Sequence, residues 1–303
     1  MNDNLKTKNV GQVFVLIPSH NRRDILCNTL LMVRAQLPPK AARLVVIDAG
    51  SSDGTYDAVR SICPSAEIVG GETSMWWTAT VNHGLKYIAQ TARSGDRVIL
   101  MNDDVNLDRN ALNHLLEASC LEPHSLIGAV NVVHNPHGNQ SCVYFCGGRY
   151  DLRFACHKVN IRQGTPWQEP CTRFQQTDFL YGRLLVIPWD AFESGYRFDE
   201  VSFPQYCADE DFTFSAKKRG FQVLVDCKSV VYVNEETTAR FSLNFKKGGL
   251  RGVRQALTSF NSCYNWKQNW AFGRRYAKWP LLFFICRYSI IIINENFRHG
   301  SKN

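Results

Sequence analysis

Two hydrophobic periods alternate along the first hundred residues. Val13-Phe-Val-Leu-Ile17 is a short apolar run stopped by Pro18, and Arg22 to Ala35 then sets Ile25, Leu26, Thr29, Leu30 and Val33 on one side at helical spacing. Leu44 to Asp48 is a second apolar run, followed by the turn-forming stretch Ala49-Gly-Ser-Ser-Asp-Gly54. Thr55 to Ile62 reads as a helix, Glu67 to Val69 as a strand, Thr78 to Ala92 as a helix and Arg97 to Met101 as a strand. Such alternation predicts an α/β fold with a mainly parallel, Rossmann-like sheet flanked by helices, because parallel neighbours need a crossover between them. Ligands of such sheets bind beyond the carboxyl ends of the strands. Here those ends carry Pro18-Ser-His-Asn-Arg22, Asp48 with Ser51, Ser52 and Asp53, and Asn102-Asp103-Asp104.

Between residues 130 and 180 the helical period is lost, and Gly147-Gly148 and Gln163-Gly-Thr-Pro166 predict short antiparallel strands and loops. Beyond Asn244 the character changes again, so the pattern divides the chain into a first domain over 1–243 and a basic, aromatic helical extension over 244–303. Trp279 to Ile293 is strongly apolar but carries Arg287 near its centre. A spanning helix needs roughly 20 apolar residues, and a central charge costs on the order of 3 kcal/mol, so this segment is not expected to span. Basic residues beside Trp and Phe fit a helix lying in the headgroup layer of an anionic membrane; the alternatives are packing on the first domain or on a second subunit, giving a homo-oligomer.

Composition narrows the partners. The chain has 303 residues, 45% of them hydrophobic, enough for a sizeable core. Net charge is +8, with the excess in the last sixty residues, where Lys246, Lys247, Arg251, Arg254, Lys267, Arg274, Arg275, Lys278 and Arg287 have few acidic neighbours. That asymmetry points to an anionic partner. Nucleic acid is not the expected one, because the charge sits in an apolar tail and not on a reading motif. Eleven cysteines at irregular spacing, with no CxxC pair and a polar start, predict free thiols in a reducing cytoplasm. Cys156, His157 and Cys171 lie close in sequence but match no zinc spacing.

Candidate chemistry lies in two acidic clusters, Asp103-Asp104 after an apolar strand and Asp209 with Asp211 in Ala-Asp-Glu-Asp-Phe212. Carboxylates at a strand end are costly unless a cation or proton neutralises them. One sheet edge holding hydroxyls, carboxylates and glycine-rich backbone suits a nucleotide whose ribose and base need hydrogen-bond partners and whose diphosphate needs a cation.

Five ordered blocks carry a resemblance: Ile17-Pro-Ser-His-Asn-Arg22, Val46-Ile-Asp-Ala-Gly-Ser-Ser-Asp-Gly-Thr55, Trp77-Thr-Ala-Thr-Val-Asn-His-Gly84, Leu100-Met-Asn-Asp-Asp-Val105 and Asp209-Glu-Asp-Phe-Thr-Phe-Ser-Ala-Lys-Lys-Arg-Gly220. Over roughly residues 10 to 240 the chain resembles family 2 glycosyltransferases of GT-A fold, among them bacterial O-antigen and capsule rhamnosyl- or galactosyltransferases. The resemblance implies inverting transfer from a nucleotide-diphosphate sugar, UDP- or dTDP-linked, with Mn²⁺ or Mg²⁺. It implies a lipid-linked oligosaccharide acceptor at the cytoplasmic face of the bacterial inner membrane. It gives Asp48 the donor base, with Pro18 and Ser19 shaping that pocket and Asn21 and Arg22 beside it. Asn102-Asp103-Asp104 stands at the Asp-x-Asp signature, making Asp104 the metal ligand and Asp103 a ribose or indirect metal partner. Counting eleven back from Gly220 gives Asp209 as the general base.

Several residues carry two readings. Asp53 is a donor contact or a turn stabiliser, and Asn82 a contact to donor diphosphate or sugar or a cap for local backbone. Trp77, with Trp76, forms a stacking wall or packs in the core. Asp211 supports Asp209 or favours the helix dipole, and Glu210 is expected to face away. Asp108 is the expected N-cap of a helix over Arg109 to Ser119. Tyr181-Gly182-Arg183 is a candidate acceptor loop, with Arg183 touching diphosphate or making a surface ion pair. The family's ligand His after the next strand is missing, and Asn234 or Glu235 stands near its place. A sugar nucleotidyltransferase would need a Gly-rich phosphate loop near the start, where Gly11 stands alone before Gly50. A non-catalytic nucleotide-sugar or glycan-binding module would not need the second acidic cluster.

Overall fold

Alternate residues of the first strand enter two different cores. Phe14 and Leu16 join one cluster, and Val13, Val15 and Ile17 the other, all of them buried. A strand covered on both faces is what a near-continuous apolar run forms when helices lie on either side of the sheet. The computed structural model describes residues 11–38, 40–134, 140–233, 243 and 245–297.

The elements follow in chain order as β1 (Val13–Ser19), α1 (Arg23–Gln36), β2 (Arg43–Asp48), α2 (Thr55–Ile62), β3 (Glu67–Gly70), α3 (Trp77–Ile88), β4 (Arg97–Met101), β5 (Asn106–Leu107), α4 (Ala111–Leu121) and β6 (Ser125–Val133). Then come β7 (Cys142–Phe145), β8 (Gly148–Asp151), β9 (Cys156–Val159), β10 (Phe174–Gln176), β11 (Leu184–Pro188), a 3₁₀ turn (Trp189–Gly195), α5 (Ala208–Lys218), β12 (Gln222–Tyr232), α6 (Phe245–Thr258), α7 (Trp266–Tyr276) and α8 (Pro280–Phe297). The main sheet runs β10-β12-β6-β11-β4-β1-β2-β3. Strands β3, β2, β1 and β4 are parallel, as the alternation predicts. Beyond them β11 inserts antiparallel to both β4 and β6, so the whole sheet is mixed. The aperiodic middle contributes β7 and β10 to its far side and the separate β8-β9 hairpin.

Helix α3 lies unusually close to the sheet. A Cβ at Gly84 would stand 2.4 Å from Leu16 Cδ1 and 2.9 Å from Ile47 Cγ1, so a glycine is what admits this approach. Helix α4 lacks the expected cap. Asp108 offers only its carbonyl to Ala111, while Gln36 of α1 accepts from the Leu112 N–H at 2.9 Å. A tertiary partner has taken over a local task.

The extension does not stand apart from the first domain. Phe272 of α7 and Phe283 of α8 are 3% and 1% exposed and belong to the same core as Phe14 and Phe212. Gly273 lets the Phe283 ring lie against the backbone, since a Cβ there would sit 2.7 Å from Phe283 Cδ1. Two buried phenyl rings contribute roughly 1.5–3 kcal/mol each to this docking. Arg275 adds ion pairs to Asp199 at 2.5 Å and Asp211 at 2.7 Å. The change of composition along the sequence is thus not a break in the core, which α7 and α8 share with the first domain. Among the described residues no helix is long and apolar enough to cross a membrane.

Candidate active site

A cavity of about 560 Å³ opens where β1 and β4 end, and extends to the start of α5. Parallel pairing puts the two strand ends side by side, with Leu16 opposite Leu100, so the residues just beyond them meet. Ser19 Oγ donates to Asp103 Oδ2 at 2.7 Å. Arg22, at the entry to α1, spans the acidic pair, reaching Asp103 Oδ1 at 2.8 Å and Asp104 Oδ2 at 2.9 Å. Burial raises the Asp103 carboxyl to about 6, against the lowering pull of Arg22 and Ser19. Both its oxygens are engaged. Asp104 is more open and its Oδ1 has no hydrogen-bond partner among the described residues.

Asn102 orients the next wall. Its Oδ1 accepts from Trp77 Nε1 at 2.9 Å, and its backbone N–H donates to the Arg183 carbonyl at 3.1 Å. The Trp77 ring lies over Gly182, where a Cβ would come within 2.8 Å of it, and meets Phe198 edge-on. Trp77 thus combines both readings, packed on one side and lining the cavity on the other. Trp76 is 43% exposed at the cavity wall. Arg183 makes no ion pair among the described residues; its guanidinium lies 4.7 Å from the Tyr144 ring centre and 5.7 Å from that of Tyr181, within the cavity lining.

The second acidic cluster enters from α5. Cys207, the residue before the helix, has left-handed backbone, φ 66°, which swings the chain so that Asp209 and Glu210 both line the cavity. Asp209 Oδ2 accepts from the Gly182 N–H at 2.7 Å and Oδ1 from the Glu210 N–H at 3.0 Å. Burial raises its pKa despite these two donors. Glu210 does not face away. It lines the cavity beside Arg287 of α8, and burial raises its carboxyl to about 7. A sequence pattern cannot show this, because one residue is 100° of helix turn and the left-handed Cys207 resets where that turn begins.

Other expected site residues serve the scaffold. Asp211, 2% exposed, accepts from Arg275 Nη1 and the Tyr276 hydroxyl, each at 2.7 Å, and so anchors α7. Its place in the catalytic pair is corrected on that ground. Asp53 accepts from the Arg23 and Thr55 N–H groups and the Thr55 hydroxyl, tying α1 to the start of α2. Asn82 spends its amide on Phe198 in both directions and on Glu200. Asn21, at φ 50°, accepts from the Ser52 N–H and donates its own N–H to Ser51 Oγ. Asp48 accepts from the Ser51 N–H at 2.9 Å. None of these five lines the main cavity, which takes in Pro18, Ser19, Arg22, Trp77, Asn102, Asp103, Asp104 and Asp209. Asn234 and Glu235 lie outside the described residues. No cluster of three or more His, Cys, Asp or Glu side chains that could hold a metal occurs among the described residues.

A strand-end acidic pair bridged by arginine and a carboxylate at the start of a later helix thus line one cavity of the mixed sheet. Residues 14–144 match the model of Glycosyl transferase family 2. Among solved structures the chain is similar to GalNAc-T7 with UDP, GalNAc and Mn²⁺, at 14% identity and TM-score 0.58, over 86% of this chain and 50% of that one. It is also similar to the mannosyltransferase PcManGT from Pyrobaculum calidifontis in complex with GDP-Man and Mn²⁺, at 16% identity and TM-score 0.54, over 92% of this chain and 69% of that one. The chain spans half the length of the first of these, and at such identities the likeness is one of fold. No curated protein matches the chain.

Proposed function

We propose that the chain is an inverting glycosyltransferase that moves a sugar from a nucleotide diphosphate to a hydroxyl of a lipid-linked glycan. The carrying observation is that the Asp103-Asp104 pair and Asp209 line one cavity while Asp211 is tied to Arg275. Asp209 takes the proton of the acceptor hydroxyl as that oxygen bonds the anomeric carbon. The bond from that carbon to the diphosphate oxygen breaks, and its electron pair leaves with the nucleoside diphosphate. Burial suits Asp209 to this work, since a raised pKa makes it a stronger base once ionised. Arg22 and Arg183 offer positive charge to the diphosphate.

The donor set fits a hard divalent cation, Mn²⁺ or Mg²⁺, shared with phosphate oxygens, because such ions need only one or two protein carboxylates. Asp104 would hold it through Oδ1, with Asp103 behind. When bound, the cation supplies charge neutralisation at the leaving diphosphate. UDP- and dTDP-sugars, with rhamnosyl or galactosyl groups, are the donors favoured by the motif set. Loss of sugar transfer in Asp104→Ala and Asp209→Asn, with folding intact, is the expected result; full activity in both sinks the assignment.

A bacterial inner-membrane location, at the cytoplasmic face and on the O-antigen or capsule route, is part of the same proposal. Helix α8 exposes Leu281, Leu282 and Ile285, with Trp279 beside them and Lys267, Arg274 and Lys278 exposed nearby. Exposed apolar side chains on a basic segment suit an anionic bilayer surface. Arg287, the charge that weighs against burial in lipid, is turned into the cavity. Co-sedimentation with phosphatidylglycerol vesicles but not phosphatidylcholine vesicles, weakened by Ile285→Glu, is expected; equal binding to both kinds of vesicle overturns the anionic reading.

A further inference from the structure

Three polar groups on one stretch of the cavity wall have hydrogen-bonding atoms without a partner among the described residues. The Glu210 carboxylate accepts no hydrogen bond among the described residues, although it lines the cavity. Arg287, from α8, has one side-chain hydrogen bond among the described residues, from Nε to Asn269 Oδ1 at 3.2 Å, which leaves its two terminal amino groups unused. His157, on β9 opposite Tyr150, has a buried Nε2 with no partner among the described residues. Its imidazole is held neutral, pushed down to about 3 by burial and by Arg287. Burial alone would lower the Arg287 pKa, but Tyr150, Glu210, Cys207 and Tyr181 around it carry it above the ordinary value, so it stays charged.

Leaving a buried polar group unsatisfied costs about 1–3 kcal/mol, which applies to His157 Nε2, whereas Glu210 and Arg287 are half-buried and turn their free polar atoms to the open cavity. Three together beside a carboxylate poised as base make a prepared site for a polar ligand. The set offers acceptor oxygens from Glu210, donor N–H groups from Arg287 and one group of either kind from His157. A phosphate or carboxylate would find Arg287 but would also face Asp209 and Glu210. A neutral sugar ring suits both signs, because each hydroxyl donates and accepts.

We propose that Glu210, Arg287 and His157 form the acceptor-sugar subsite, gripping hydroxyls next to the one that reacts at Asp209. The ligand class is a neutral pyranoside, and α8 supplies a specificity-determining residue of the reaction. This deepens the glycosyltransferase reading and rests on it. It also makes the site dependent on the C-terminal helices, since α6, α7 and α8 lie outside the matched residues 14–144.

The test uses the full chain with Mn²⁺ and UDP or dTDP, and saturation-transfer NMR with methyl hexopyranosides, their monodeoxy analogues and the corresponding methyl uronides. Nucleotide affinity is measured in parallel. The wild-type chain is expected to bind at least one neutral pyranoside and to lose affinity for a monodeoxy analogue. Glu210→Gln and Arg287→Lys are each expected to weaken pyranoside binding about ten- to a hundredfold, the loss of one charge-assisted hydrogen bond, with nucleotide affinity retained. The isosteric Glu210→Gln keeps the test open if Arg287→Lys fails to fold. Tighter binding of the uronides, pyranoside affinity unchanged in Glu210→Gln, or no pyranoside bound by a chain that binds nucleotide overturns the subsite alone. Absence of nucleotide binding in the wild-type chain overturns instead the reading on which it rests.

Discussion

Two aspartates two residues apart on α5 should respond to the same substitution in opposite ways. Asp211 is 3% exposed in its side chain and accepts from Arg275 and Tyr276, whereas Asp209 accepts only from backbone N–H groups and lines the cavity. Removing one partner of a buried ion pair costs about 3–5 kcal/mol. Here Arg275 is 39% exposed and keeps Asp199, and the Tyr276 hydroxyl keeps the Asp211 carbonyl at 2.9 Å. Those remaining partners bring the cost of Asp211→Ala to about 2–3 kcal/mol, or a melting temperature lower by about 3–5 °C. Asp211→Asn retains a neutral acceptor for Tyr276 and should cost about 1 kcal/mol. Neither should change kcat per folded molecule by more than about threefold, because no reacting proton is routed through Asp211. Asp209→Asn removes a charge that burial disfavours, so stability should hold within about 1 kcal/mol while kcat falls about 10²- to 10⁴-fold. Urea unfolding, and the initial rate of nucleoside-diphosphate release at saturating donor and acceptor, separate the two quantities. A large loss of kcat in Asp211→Asn with near-normal turnover in Asp209→Asn would refute the assignment and exchange the roles.

Other expectations are briefer. Glu210 has a folded-state pKa of about 7 against an ordinary 4.5, so the folded chain binds its proton more tightly. The associated stability is full below about pH 4.5 and is lost as pH rises to about 7; for a carboxylate facing cavity water the loss is about 2 kcal/mol. Urea unfolding at pH 5 and pH 8 should show Glu210→Gln with a shallower decline than wild type, and parallel declines would contradict this. Asp104→Ala should weaken cation-dependent nucleotide binding in calorimetry by about tenfold or more, whereas Asp53→Ala should lose about 1 kcal/mol of stability as a helix-cap deletion and leave nucleotide affinity intact. Gly182→Ala should press a methyl into the Trp77 ring, cost about 1–3 kcal/mol and disturb the Trp77–Asn102 hydrogen bond, read as a shift in tryptophan emission; an unchanged emission and stability would show that the ring has room.

Much of the first half was legible because short-range rules govern it. The apolar runs at Val13 and Arg97 had to be strands covered on both faces, and their neighbouring ends had to bring Ser19, Arg22 and Asp103 together. The antiparallel β11 was not legible, since Leu184 to Pro188 reads as an apolar strand of either direction and only its neighbours β4 and β6 decide. Asp53, Asn82 and Asp211 show the converse limit. A motif gives a residue type and a spacing, but these side chains are spent on backbone groups and on side chains such as Thr55, Glu200, Arg275 and Tyr276, most of them brought near by tertiary packing. Glu210 and Arg287 were hidden for a related reason, because the side of α5 that meets the cavity depends on the left-handed turn at Cys207, and the face of α8 that turns inward depends on Phe283. The hydrophobic pattern along α8 treats Arg287 as an interruption, whereas in the fold it lines the cavity beside Glu210.

The cavity joins residues from nearly opposite ends of the chain, Pro18 and Ser19 on β1 and Arg287 on α8. Closing so long a loop delays contact formation, so the wall that includes Arg287 belongs to the late, high-contact-order stage of folding. During synthesis the sheet can form while α8 is still emerging. A half-made chain would therefore hold its strand-end carboxylates around Arg22 without a finished opposite wall, and the cavity would be closed only once α8 had docked.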